Sequence, residues 1–264
     1  MIVPARANAD EEPTKWEQLF FPFPIIGAPP QLEQQVQVFA NYFRGDAGSA
    51  VGLSSELAYI ASPHLGLVLT VPGQIGIDDQ PSGLEDVELL VQYLAAGSLE
   101  YDAMISVGAS GTFPTGHGDL GQGDYFVGPF AYAAKRWFHH VVAEADVTAL
   151  VPLVHGASTR QLLANGMLAV MVTPQKFDYP IYAQVELDST TYLGGTAALP
   201  PGATTSPAAT LFVIPEIFVG PFESLIDEGT RIAAGVSFEL AGDPVHRRTY
   251  MLTAAFDIPN KYGY

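Results

Sequence analysis

Residues Ser82 to Tyr93 read SGLEDVELLVQY, and an echo, FPTG, follows at Phe113 to Gly116. Behind a Pro-Ser-Gly turn, Val87, Leu89, Val91 and Tyr93 fall on one side of an extended chain, and Asp86, Glu88, Leu90 and Gln92 fall on the other. This is a strand with one oily and one mostly polar face. Such an oily face meets either a protein core or lipid, and which of the two it meets decides the fold.

Composition points to lipid. The chain has 264 residues, 26 Gly and 21 Pro among 48% hydrophobic residues, a pattern of many short strands and turns rather than long helices. Only 15% of residues are charged, against about 25% in ordinary soluble domains. Mean hydropathy is nevertheless +0.20, without an apolar run long enough for a spanning helix. A barrel in a membrane reconciles these facts, because every second residue is apolar and outward without any continuous hydrophobic segment. A tightly packed soluble β-sandwich is the alternative. The net charge of −17 with 11 Lys and Arg excludes nucleic acid, which requires clustered basic residues. With no Cys, disulfides, thiolate metal sites and a Cys nucleophile are excluded too.

From the N-terminus, Ala7-Asn8-Ala9 before Asp10 has the small-x-small form of a signal-peptidase site, but a basic start and an apolar h-region are missing. The stretch reads either as the remnant of an export leader or as an ordinary tail. Trp16 to Pro30, WEQLFFPFPIIGAPP, is apolar but broken by prolines that cannot donate to a ladder. Residues 1–30 are therefore expected to form an export remnant and a lead-in whose aromatics plug the bore, wrap the outside or dock a protein partner. Residues 31–264 are expected to form the barrel.

Alternation then hardly stops. Leu32, Val36, Val38, Ala40 and Tyr42 oppose Glu33, Gln35, Gln37 and Asn41 up to a turn at Arg44-Gly45-Asp46. Further strands are expected at 51–60, 65–71, 82–93, 102–113, 125–137, 139–151, 161–172, 181–192, 211–222, 231–240 and 248–258, about twelve in all. The stretch 125–137 lacks clean alternation. The fold expected is an all-β, antiparallel up-and-down transmembrane barrel of outer-membrane type. Two regularities favour it over a soluble fold. The connections Pro114 to Asp124 and Gly194 to Pro207 are long, while those after the second, fourth and sixth strands are near the hairpin minimum. Aromatics also gather near strand ends, among them Tyr42-Phe43, Tyr59, Tyr93, Tyr101, Phe113, Tyr125-Phe126, Trp137-Phe138, Tyr179, Tyr192 and Tyr250, as interfacial girdles require.

The blocks LGLVLTVP (Leu65 to Pro72), SGLEDVELLVQY, FPTG and GQGDYFVGPFAY (Gly121 to Tyr132) resemble, in order and spacing, those of the outer-membrane transporter family labelled "MetA-pathway of phenol degradation". Glu85 stands where that pattern has Gly, and Gln92 where a Lys is common. The resemblance implies an outer-membrane channel or transporter for small solutes in a Gram-negative bacterium.

If the polar faces line one bore, they bring together Glu33, Glu56, Glu88, Glu144, Asp146, Glu186, Asp188, Glu216, Glu239 and Asp257, with Arg231, His140 and Gln184 beside them. Such a lumen favours cations and polar solutes; alternatively its charges are structural pairs filling a closed barrel. A catalytic reading is weak: Ser106, Ser110 and His140 have no spacing that joins them into a triad. Asp119 and Asp124 in the GHGDLGQGD loop offer hard oxygen ligands to Ca²⁺, but a Gly-rich hairpin accounts for them as well. His139 and His140 point to opposite faces of a strand and cannot share a metal. No cofactor or metal is called for, and the expected partners are the outer-membrane bilayer, a small-molecule or ion permeant and a protein partner through Trp16 to Pro30. The remaining reading is a structural barrel that serves as scaffold for a partner complex.

Overall fold

A computed structural model describes residues 34–45, 48–78, 80–98, 101–117, 120–121, 123–138, 140–153, 160–173, 180–193, 209–222, 229–242 and 248–258, with Pro22 and Leu32. Twelve long strands carry the fold: β1 (Gln35–Gly45), β2 (Gly48–Ser62), β3 (Leu65–Ile77), β4 (Val87–Ser98), β5 (Ala103–Phe113), β6 (Phe126–Trp137), β7 (Val141–Pro152), β8 (Arg160–Met171), β9 (Ile181–Leu193), β10 (Ala209–Phe222), β11 (Thr230–Ala241) and β12 (Arg248–Asp257). Each pairs antiparallel with its sequence neighbours, and β1 pairs with β12, so the sheet closes. A two-residue rung, Gly83–Leu84, pairs with β3 just before β4 begins.

Closure gives the barrel two rims. One holds the turns 63–64, 99–102 and 138–140, the start of β1 and the end of β12; the other holds the connections 114–125 and 194–208. The length alternation is not strict: residues 172–180 separate the ends of β8 and β9 at the short-turn rim, and Gly45 of β1 pairs with Gly48 of β2 at the long-loop rim. The loop Gly194 to Pro207 itself lies outside the described residues.

The outer surface explains why so many apolar residues are tolerated. Leu53, Leu57, Leu69, Ile105, Val147, Leu168, Val185, Leu187, Ile217 and Leu252 are all exposed mid-strand, and in water such a belt would be an aggregation surface. Exposed aromatics flank it on both sides. Tyr42, Phe113, Tyr125 and Tyr250 lie toward the long-loop rim, and Tyr59, Tyr93, Tyr101 and Trp137 toward the short-turn rim. An apolar belt between two aromatic girdles is the surface of a barrel in the outer membrane.

Three expected girdle members turn the other way. Phe43, Phe126 and Tyr192 occupy inward positions, and Phe126 is buried. Alternation puts Leu32 on the oily face of the first strand; instead Leu32 packs against the buried inward cluster, over Gly66. The alternation of β6 is unbroken from Phe126 to Ala134. It was illegible in sequence because inward Phe126, Phe130 and Tyr132 are as apolar as outward Val127, Ala131 and Ala133.

The opening stretch and its echo meet at the long-loop rim. Val87 and Phe113 are register partners, which brings Thr115 and Gly116 back to the start of β4. The Asp86 carboxylate accepts the Gly116 N–H at 2.8 Å, and Thr115 Oγ1 accepts the Val87 N–H at 2.9 Å. A Cβ at Gly116 would lie 2.7 Å from the Gly121 Cα, so the clamp closes only around glycine.

Candidate functional site

The inward faces of the strands differ along the bore. Toward the long-loop rim, Glu56, Ser110, Asp146, Thr148, Leu163, Asn165, Asp188 and Thr190 are half-buried and Glu88 is exposed, while Ala50, Thr112, Phe126 and Phe130 are buried. Toward the short-turn rim, burial is nearly complete: Ala169, Ile214, Phe218, Ala233, Thr253 and Ala255 are each 0% exposed. All of these but Thr253 form one apolar cluster with Leu94, Met104, Tyr132, Ala134, Val142, Met167, Tyr182 and Met251. Tyr182 and Phe218 meet edge to face within it, centroids 6.0 Å apart.

Several polar groups in the buried half pair with one another, which offsets part of the cost of burying them. Tyr132 Oη donates to the Glu144 carboxylate, and Gln184 Nε2 donates to Glu216. Gln35 Nε2 donates to Gln37 Oε1 at 3.3 Å, and Gln37 Nε2 to Thr253 Oγ1 at 3.1 Å. Two ion pairs sit at the short-turn rim. Arg136 grips Asp102 with two contacts of 2.7 Å, and Arg231 binds Asp257.

Most expected bore residues come together on one wall. Cross-strand register aligns Asp146, Asn165 and Asp188, and continues through Phe212 to Glu239. Asn165 Nδ2 donates to Asp146 Oδ1 at 3.3 Å. The next rung toward the short turns carries Glu144, Met167 and Glu186, and the one after it Gln184 and Glu216. On the opposite wall Glu56 accepts from Thr70 Oγ1 at 3.4 Å, and Thr70 is also the register partner of Glu88. Glu33 lies outside the described residues. Alternation predicts His140 within a strand, but it sits in the turn before β7, where its N–H donates to the Trp137 carbonyl at 3.1 Å.

The charges are sorted by height. Among the described residues the basic side chains are Arg44, Arg160 and Arg248 at the long-loop rim, and Lys135, Arg136 and Arg231 at the short-turn rim. Among the described residues, the rungs between the rims that carry Glu88, Asp146 and Asp188 bear no Arg or Lys. Sequence reasoning missed Asn165, Tyr132 and the Asp102–Arg136 pair. The last was detectable in principle, since Asp102 and Arg136 flank the hairpin ends of adjacent strands; the first two were not, because neither stands out from an ordinary strand residue.

Comparison with solved structures agrees on architecture. The NanC porin superposes with a TM-score of 0.61 at 9% identity, over 84% of this chain and all of that one. The COG4313 outer membrane channel from Pseudomonas putida F1 superposes with a TM-score of 0.55 at 12% identity, over 90% of this chain and all of the other. The KdgM porin, solved in complex with disordered oligogalacturonate, superposes with a TM-score of 0.51 at 10% identity, over 84% of this chain and 99% of its own. Identity this low speaks for the fold alone. No protein-family model matches the sequence, and no curated protein sequence is significantly similar to it.

Proposed function

We propose that the protein is a non-enzymatic outer-membrane channel for small solutes, with an acidic lumen that favours cations. The observation that carries this reading is the sorting of charge: Glu56, Glu88, Asp146, Asp188 and Glu239 face the bore between two rims that hold the described Arg and Lys side chains. Fixed charges of one sign raise the local concentration of counter-ions, and inside a protein wall they are screened less than at a free surface. The likeness of fold to porins and channels supports the transport role. The resemblance of the SGLEDVELLVQY and FPTG blocks to the phenol-degradation transporter family supports it further and suggests that context for the permeant.

Single-channel recording from the purified protein in a planar bilayer tests this. In a KCl gradient the reversal potential should indicate K⁺ passing in preference to Cl⁻, more strongly at low ionic strength, where screening is weaker. Asp146→Asn with Asp188→Asn should reduce the preference more than Glu144→Gln with Glu186→Gln, because the first pair is half-buried and the second buried. An anion-selective channel refutes the acidic-lumen reading.

The buried layer near the short turns favours a second reading, a barrel that serves as scaffold for a partner. Trp16 to Pro30, the segment proposed to meet that partner, lies outside the described residues apart from Pro22. A folded protein that passes no current supports the scaffold over the channel.

A further inference from the structure

At the outer edge of the long-loop rim, Arg44 on β1 and Arg248 on β12 are direct cross-strand partners. Both are exposed, and both continue the outward-facing series of Tyr42 and Tyr250. Two like charges placed opposite each other across a ladder repel and cost stability. A carboxylate between them would relieve this, yet neither Arg44 nor Arg248 makes an ion pair. In a chain of net charge −17, two adjacent unneutralised cations on the lipid side call for an external anion.

The surroundings indicate which anion. Two register positions toward the membrane, on the same face, Tyr42 and Tyr250 stack with centroids 6.2 Å apart and planes at 29°. Tyr42 Oη donates to Ser49 Oγ at 3.5 Å, which fixes the ring. Phe238, exposed on β11, is the register partner of Arg248. An arginine pair directly above an aromatic girdle stands at headgroup height. Guanidinium groups match phosphate oxygens two by two, while the aromatic rings below suit sugar or acyl chain. We propose that Arg44 and Arg248 form a site for the phosphate of an anionic lipid headgroup in the leaflet at the long-loop rim, with Tyr42 and Tyr250 beneath it and Phe238 beside it.

The test uses the full chain in neutral detergent, with thermal unfolding followed during titration with bis-phosphorylated lipid A, its dephosphorylated form, or inorganic phosphate. The phosphorylated lipid should raise Tm, whereas the dephosphorylated lipid and free phosphate should not. In the Arg44→Gln/Arg248→Gln variant the concentration needed for half the shift should rise about tenfold or more, as expected for loss of charge-assisted hydrogen bonds. Arg160→Gln, an exposed arginine at the same rim whose register partner is Leu193, should leave the titration unchanged. If the double Gln variant does not fold, Arg44→Lys/Arg248→Lys, which keeps the charge and loses the fork, should still weaken the response. Equal shifts with dephosphorylated lipid, a response to free phosphate alone, or an undiminished response in the double variants would overturn the proposal.

Discussion

In the half of the bore beside the short turns, even small inward side chains such as Ala169, Ala233 and Ala255 are wholly buried, while in the half beside the long loops Asp146 and Asp188 are half-buried and Glu88 is exposed. The same alternation builds both halves, so the period of two says which side a residue faces but not what it meets there. The buried half is held by apolar contact: Phe218, Tyr182, Ile214 and Met251 share one cluster. The other half carries its order at the rim, where Asp86, Thr115 and Gly116 join β4 to the segment after β5.

The largest expected effect tests whether packing differs between the halves. Phe218→Ala removes a ring with no exposed surface and should cost about 3–5 kcal/mol in denaturant unfolding. Leu163→Ala, inward but half-buried on β8, should cost less than half as much. Comparable losses at both positions would mean that the halves are packed alike.

Of intermediate size is the clamp. Asp86→Ala leaves the Gly116 N–H without its charged acceptor and should cost about 1.5–3 kcal/mol. The loss should appear as faster proteolysis within the connection 114–125, with the strands still protected. A uniform loss of protection across the barrel would show that the rim does not hold its own order.

The smallest effect concerns Glu85, which lies between the Gly83–Leu84 rung and β4, outside the spanning strands. Burial, and secondarily the neighbouring Asp86 charge, raise its carboxyl above the ordinary 4.5. A raised acid favours the folded state when protonated, so its contribution is present at low pH and is lost as pH climbs through the shifted value. Glu85→Gln should therefore melt with the parent chain at acidic pH and slightly above it at pH 7. A higher Tm for the parent at pH 7 would reverse the sign.

Much of this was legible before any coordinates. Outward Leu53, Leu57, Val185 and Leu252 and inward Gln35, Gln37, Glu144 and Glu186 follow directly from alternation, because lipid and bore impose opposite demands on neighbouring residues. The buried layer was not legible. Tyr132, Ile214 and Phe218 face inward beside carboxylates, and a reading that equates inward with polar passes over them; alternation alone puts Tyr182 on the inward face. Ends were also misread where the chain leaves the period: β3 continues through Pro72 and Gly73 to Ile77, and Leu32 folds into the barrel rather than onto it.

The pairing of β1 with β12 completes an unbroken ring of ladders. Strand number and stagger together set the girth of such a ring, and neither changes without breaking a whole seam of hydrogen bonds. The wall therefore cannot dilate like an iris. If solutes pass, as proposed, any control over them acts inside a pipe of constant gauge, by side chains swinging or by a segment entering and leaving.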